Sequence, residues 1–462
     1  MRFNYILFFL FTSIFITGAC RKDLFTDDPG AKLVFSTDTV HFDTIFTSVG
    51  SATKNFKVFN NNSQAVTISN IRLAGGTASS YRINIDGRAT TLFNDYELAA
   101  KDSMYIFVEV TINPNNQALP FVVTDSIMFE TNGNKQKVVL TSFGQNAHFF
   151  ENRFLGCDTT WVNDGLPYVI YRSIGVSPNC KLTIEKGVKI YSHKGSGIFV
   201  YGTLEVKGTK DEPVIFRGDR LEKMYEHEPG QWYGIRFVPK SHSNIIQHAI
   251  ISNAEVGIEV DSIPVQGTYN LQIEKTIVRN MTVAGIVGFS SGIDGKNLLV
   301  HSCEQYTFLG ELGGNYRFTH CTFENSNTKT SRRLPSFVLS NADYFDEVNN
   351  IRIAYELNAE FRNSIIWGNL EEEMKFVRTG SNSFDTTFLY NIVKSKAIKF
   401  NETNLVNTNP RVESPFRHQY HLNRQSPAIN KGFIFPQIPV ADDILDNPRD
   451  NNPDIGSYEY KE

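Results

Sequence analysis

The sequence predicts an all-β chain, a β-sandwich followed by a parallel β-helix, the latter a solenoid of stacked coils. Three observations carry this. A spaced pattern recurs through the second half, in which an apolar residue is followed at three, five and often seven positions by a small or apolar residue, an apolar residue and Asn. It reads Ile246, Ala249, Ile251, Asn253, then Ile273, Thr276, Val278, Asn280, then Phe318, Cys321, Phe323, Asn325, and the steps from Ala249 to Thr276, Thr276 to Cys303 and Ser364 to Asn391 are each 27 residues. The units are short and rich in Val, Ile, Phe and Thr, so each is two strands meeting at a corner and not a helix pair. Residues 33–147, by contrast, alternate apolar and polar in short runs between Gly, Asn and Ser, as sandwich strands do.

The length of 462 residues, 41% of them hydrophobic and 13% aromatic, allows two or three domains with ample core. A formal charge of −4 offers no basic face, which excludes an electrostatic case for nucleic acid.

At the N-terminus, Arg2 precedes an apolar run from Tyr5 to Ile16 and then Thr17-Gly18-Ala19-Cys20. The run has the length of a signal-peptide core and is short for a bilayer span. Small residues before a single Cys resemble a bacterial lipobox, although Thr17 departs from the usual Leu. The resemblance implies a signal peptide over 1–19, cleavage before Cys20, acylation of its thiol and a lipidated, flexible tether over 20–32. Lys22-Asp23 resembles the signal that sends some Gram-negative lipoproteins to the cell surface. That implies an outer-membrane lipid anchor facing outward, with a periplasm-facing anchor as the alternative.

Residues 33–147 hold the runs Val40–Phe46, Phe56–Asn61, Val66–Ile68, Tyr81–Ile85, Tyr105–Val110 and Val138–Leu140, which suggest a seven-strand sandwich. The segment resembles the immunoglobulin-like modules of exported bacterial proteins, in which a Val-x-Phe strand leads to a small-residue turn, here Ser48-Val49-Gly50. Such modules act as spacers or docking surfaces.

From 148 to 462 the chain resembles exported bacterial right-handed parallel β-helix lipoproteins. The matching rungs are Leu182-Thr183-Ile184-Glu185-Lys186-Gly187-Val188-Lys189-Ile190 and Gly202-Thr203-Leu204-Glu205-Val206-Lys207-Gly208. The finish Pro453-Asp454-Ile455-Gly456-Ser457-Tyr458 is similar to their C-terminal caps. Asn253, Asn280 and Asn325 are expected to hold left-handed corners, where Asn is tolerated, with their amides stacked along the axis. With Cys20 lipidated, Cys157, Cys180, Cys303 and Cys321 remain, in an export compartment that permits disulfides. Cys303 and Cys321 read as the same repeat position on neighbouring coils, stacked as buried thiols or bridged, with His301 and His320 pointing outward.

Two excursions from the coils are the candidate working face. The first, Arg217 to Gly230, carries Arg220, Tyr225, Glu226, His227 and Glu228 and runs into Trp232. The second, Asn325 to Tyr355, adds Arg332, Arg333, Tyr344, Asp346 and Glu347. Rings beside polar groups suit a saccharide, which stacks its apolar face and hydrogen-bonds its hydroxyls. Trp232 has a structural reading as well, as the cover of a rung. The Asp442, Asp443, Asp446, Asp450 and Asp454 cluster offers oxygens to Ca²⁺, or else pairs with Arg449 in a cap. No carboxylate set of a β-helix hydrolase is complete, and no other cofactor is expected. The sequence favours a surface-exposed envelope lipoprotein whose β-helix binds glycan or another envelope component without catalysis. A polysaccharide lyase or glycoside hydrolase on the same scaffold is the alternative, and a structural or adhesive stalk the second.

Overall fold

The computed structural model describes residues 24–117, 119–261, 263–264, 268–346, 350–353, 355–379 and 382–461. The leader and Cys20 lie outside the described residues. Among these residues there is no α-helix, and none is long and apolar enough to cross a membrane. The chain divides into two compact units between Asn146 and Ala147.

The first unit is a sandwich of two five-stranded sheets. Antiparallel pairing builds both except where Thr39–Phe46 runs parallel to Asn134–Gln145. Strand alternation sets the core: in Ser103–Val110 every second residue is buried, so Met104, Ile106, Val108 and Val110 face the opposite sheet. The ten strands exceed the seven expected. Leu92–Leu98 escaped notice because an edge strand buries little and shows no alternation, and Phe121–Thr131 because Thr, Asp and Ser interrupt its apolar run. A second correction concerns the tether, since residues 24–32 are docked. Thr26 N–H donates to Ala65 O at 2.9 Å, Asn132 Nδ2 donates to Thr26 O and Asp28 O, and Ala31 is buried.

The second unit is a right-handed parallel β-helix with three faces. The first face is a nine-stranded sheet running from Thr159–Trp161 to Phe384–Leu389. The other two share an eighteen-stranded sheet that continues around a corner. The second face includes Ala249–Ser252, Ile277–Met281, Leu299–Cys303 and Thr322–Asn325, and the third includes Gly197–Val200, Gly234–Phe237 and Val256–Val260. Inward residues stack coil on coil. Phe318, Phe361 and Phe388 are in register, with ring centroids 5.3 and 4.9 Å apart. Each such ring contributes roughly 1.5–3 kcal/mol by leaving water.

Register corrects the repeat. Ile277 pairs with Leu299 and Leu299 with Thr322, so an uninterrupted coil takes 22 or 23 residues. The 27-residue spacings of Ile250 to Ile277 and Ile365 to Ile392 include insertions. Cys303 lies opposite Met281, whereas Cys321 precedes Thr322, the partner of Leu299. The two thiols are therefore not equivalent, and no ladder joins them. Both are buried and free, whereas Cys157 and Cys180 form a disulfide that ties the first two coils.

The chain after Val406 returns along the outer surface of the second face. Tyr420 packs on His301 with centroids 4.2 Å apart, His320 Nδ1 lies 3.1 Å from Asp454 O, and Ser457 N donates to Thr322 Oγ1 at 3.0 Å. His301 and His320 do leave the core, as alternation requires, but the return segment covers them and both are buried. The acidic cluster serves that segment. Asp443 accepts from the N–H groups of Leu445, Asn447 and Glu459, and Lys275 bridges Asp442 and Asp446 at 2.8 and 2.5 Å. Arg449 forms its ion pair with Glu459 at 2.8 Å and reaches the cluster through the backbone carbonyls of Asp442 and Asp454.

Candidate functional site

The corner after the second face organises the site. Asn253 and Asn280 sit there with φ of 66° and 59°, and Ser302, their counterpart on the next coil, with 54°. Left-handed backbone suits Asn, whose short amide bonds locally. Asn325 occupies the same column without a positive φ, and its amide grips the Cys303 backbone at N and O. The expected amide ladder is absent among the described residues. Asn253 Nδ2 instead donates to Glu226 O at 3.1 Å and Glu228 O at 2.8 Å, which fastens the first excursion over the corner.

This fastening opens a cleft of about 140 Å³. His227 and Pro229 of the first excursion line it with Asn327 and Lys329 of the second, Asn280, Ser302 and Glu304 of the coils, and Phe416 and His418 of the return segment. His227 stacks on His418 at 4.1 Å, and its Nδ1 lies 3.5 Å from Asn280 Nδ2. Lys329 Nζ pairs with Glu228. Glu304 accepts the N–H groups of Lys329 and Thr330 at 2.8 and 2.7 Å. His418 Nδ1 is buried without a hydrogen-bond partner.

Burial holds the imidazole of His227 below its ordinary pKa, Arg279, Lys329 and Arg217 add to the depression, and Glu226 opposes it. Burial pushes His418 down to about 4, assisted by His227 and Arg279. Both rings are thus neutral near pH 7, and each offers one donor and one acceptor nitrogen. The cleft can hydrogen-bond hydroxyls from several directions.

Of the sequence candidates, His227 reaches the cleft and Glu228 holds its rim through Lys329. Glu226 is exposed, 4.0 Å from His227. Arg220 is spent on Glu222 at 2.6 Å and covers the Tyr225 ring at 4.1 Å. Trp232 is corrected: its side chain is fully buried and its indole donates to Ser252 O at 2.8 Å, so it offers no ring to a sugar. Arg332 is corrected too. It forms a bidentate pair with Glu373 at 2.7 and 3.0 Å, their side chains 1% and 0% exposed, and so pins the second excursion to the coils. Arg333 stays exposed. The second excursion is in fact two, divided by the third-face strand Phe337–Ser340. Tyr344 is exposed on the later hairpin with Ile351–Ile353 and does not line the cleft. Glu347 lies outside the described residues. Lys329, Asn327, Glu304 and His418 were missed. Only register and the returning C-terminus bring them together. Among the described residues no group of three or more His, Cys, Asp or Glu is placed to hold a metal.

Residues 138–323 match the family model described as the right-handed beta helix region. No curated protein matches the chain. Among solved structures, a family 123 glycoside hydrolase from Clostridium perfringens aligns over 27% of this chain and 30% of its own, at 8% identity and a TM-score of 0.19. The PapD-like domain 7 of human CEP192 aligns over 26% of this chain and 88% of its own, at 10% identity and a TM-score of 0.18. The alkylpurine DNA glycosylase AlkC of Pseudomonas fluorescens aligns over 25% and 31%, at 13% identity and a TM-score of 0.17. The chain thus spans about a third of the two enzymes, and likenesses this slight carry no function across.

Proposed function

We propose that the chain is a cell-envelope lipoprotein, anchored through Cys20 and displayed at the outer surface, whose β-helix binds glycan without cleaving it. The observation that supports binding is the convergence at one corner of both excursions and the return segment. There Asn280, Ser302, Asn327 and two neutral imidazoles face one cleft with hydroxyl-bonding groups. A glycoside hydrolase needs two carboxylates flanking the scissile bond. Glu304 is the single carboxylate lining the cleft among the described residues, and it is occupied by backbone donors. This favours binding over hydrolysis. The anchor rests on the Thr17-Gly18-Ala19-Cys20 motif, because two or more acyl chains on one Cys suffice for stable attachment.

The deciding experiment screens the protein against acidic and neutral polysaccharides, scoring retention and new chain ends separately. Retention that His227→Ala and Lys329→Ala weaken, with no new ends, is expected. New chain ends would establish the enzyme instead, and no retention of any polymer would leave the stalk. Cys20→Ser should release the protein from membranes, and a variant that stays membrane-bound would refute the anchor.

A further inference from the structure

The cleft carries one exposed phenyl ring, Phe416, whereas another outer face carries a row of rings. On the opening coils the outward column of the third face is Phe154, Gly175, Phe199, Arg236 and Glu259, each in register with the next. Phe154 is 60% exposed and Tyr201 38%, with ring centroids 5.6 Å apart. Phe199 stacks with Tyr233 at 5.5 Å and 27°. Glycines make room beneath the rings. A Cβ on Gly175 would come within 2.5 Å of the Phe154 ring, and one on Gly197 within 3.2 Å of Tyr233. The Phe154 ring thus lies against the coil backbone at Gly175, and Tyr233 beside Gly197.

A groove of about 160 Å³ runs between Phe154, Phe199 and Tyr201, edged by Asn152, Arg153 and Arg172. Next along the axis, Arg236 bonds Asp261 at 2.5 Å and lies 3.5 Å from Glu259, whose Oε2 accepts from Tyr233 Oη at 2.9 Å. Asp261 Oδ1 is buried, without a hydrogen-bond partner. Arg172 likewise faces Glu151 at 3.4 Å. Three arginines on this face, Arg153, Arg172 and Arg236, are matched in number by three carboxylates, Glu151, Glu259 and Asp261, with Arg153 lying over the Phe150 ring at 4.4 Å. A balanced face suits an uncharged ligand better than a nucleic acid or an anionic membrane, each of which needs an excess of positive charge.

We infer that this face is a platform for a neutral polysaccharide lying along the solenoid axis. Its pyranose rings stack on Phe154, Tyr201 and Phe199, and its hydroxyls bond to Arg236 and Arg172. Rings supply area at low entropic cost and the fixed ion network supplies orientation. The inference extends the glycan reading and needs nothing from the cleft.

The test titrates the full chain with neutral gluco-, xylo- and manno-hexasaccharides by calorimetry. At least one should bind. Phe154→Ala and Tyr201→Ala should each weaken it about tenfold, and the two together should abolish it, with Phe154→Tyr retaining it. Binding that His227→Ala abolishes but the Phe154 and Tyr201 double variant retains would assign it to the cleft and overturn the platform, so the two readings fail separately. Phe199→Ala repeats the test should another variant not fold. Failure of all three hexasaccharides to bind, or binding that survives the double variant, would overturn the platform. So would a double variant that converts a dimer to a monomer, since the face would then join two copies of this chain.

Discussion

Glu324 offers a direct measurement of how the return segment shapes the chemistry beneath it. The residue lies in the outward column between His301 and Trp367 and is 1% exposed. Its Oε1 accepts Ser326 N–H at 3.2 Å and its Oε2 has no partner. Burial pushes its carboxyl from 4.5 up to about 7, Glu373 adds to this, and Ser326 and Arg332 oppose it. The folded chain thus holds this proton up to about pH 7, while the unfolded chain releases it near 4.5. The stabilisation is complete below pH 4.5 and lost as pH rises through 7, which amounts to about 3 kcal/mol. His301 and His320, held neutral by burial, act in the opposite direction, because their cost appears as pH falls. The wild-type profile alone therefore mixes the two. Glu324→Gln keeps the shape and removes the titration, so urea-unfolding free energies of both proteins, measured from pH 4 to 8, isolate the term. The variant should gain about 3 kcal/mol on the wild type across that range. Parallel curves would refute the argument and place Glu324 in contact with water.

Arg332→Ala should cost about 3–5 kcal/mol, because it leaves the Glu373 carboxylate buried and unpaired. Arg333→Ala, exposed next to it, should change the thermal midpoint little. Replacing Cys157 and Cys180 together by Ser should remove about 3 kcal/mol, as expected for a crosslink closing a loop of 23 residues, and reductant should reproduce the loss in the wild type. Asn280→Val should destabilise by a few kcal/mol and Asn280→Gly far less, since φ is 59° there. Equal thermal melts for those two would show that the corner is not left-handed in solution.

The parts of the fold legible in the sequence are those that physics repeats. Ile246, Ile273 and Phe318 close the first face, Ile251, Val278 and Phe323 fill the second, and Asn253, Asn280 and Asn325 mark the corner beyond. A core that stacks coil on coil imposes the same choice at each level, so the pattern survives in sequence. The third face escaped because its short strands lie between corners of variable length. The same variability put Cys303 and Cys321 out of register. Leu298, not Cys303, is the true counterpart of Thr276, one position before the pairing of Ile277 with Leu299.

The candidate site was legible only in part, for a related reason. Outward positions on a solenoid are free of the core, so they take residues singly and without a period. Phe154 and Phe199 occupy one column with Gly175 between them, yet in sequence they read as unrelated aromatics 45 residues apart. His227 and His418 stack although 191 residues separate them, because the chain after Val406 turns back along the coils. What could be read was composition: a charged excursion, and an unmatched Arg or Glu in it. Arg332 shows the limit of that reading, since the charge that looked like a ligand contact is the clip that holds the excursion in place. On this scaffold a cluster of charges is therefore a poor guide to a binding face, because it can be consumed in fastening a loop, whereas Phe154 packs on the Tyr201 ring and still leaves 60% of its surface to solvent.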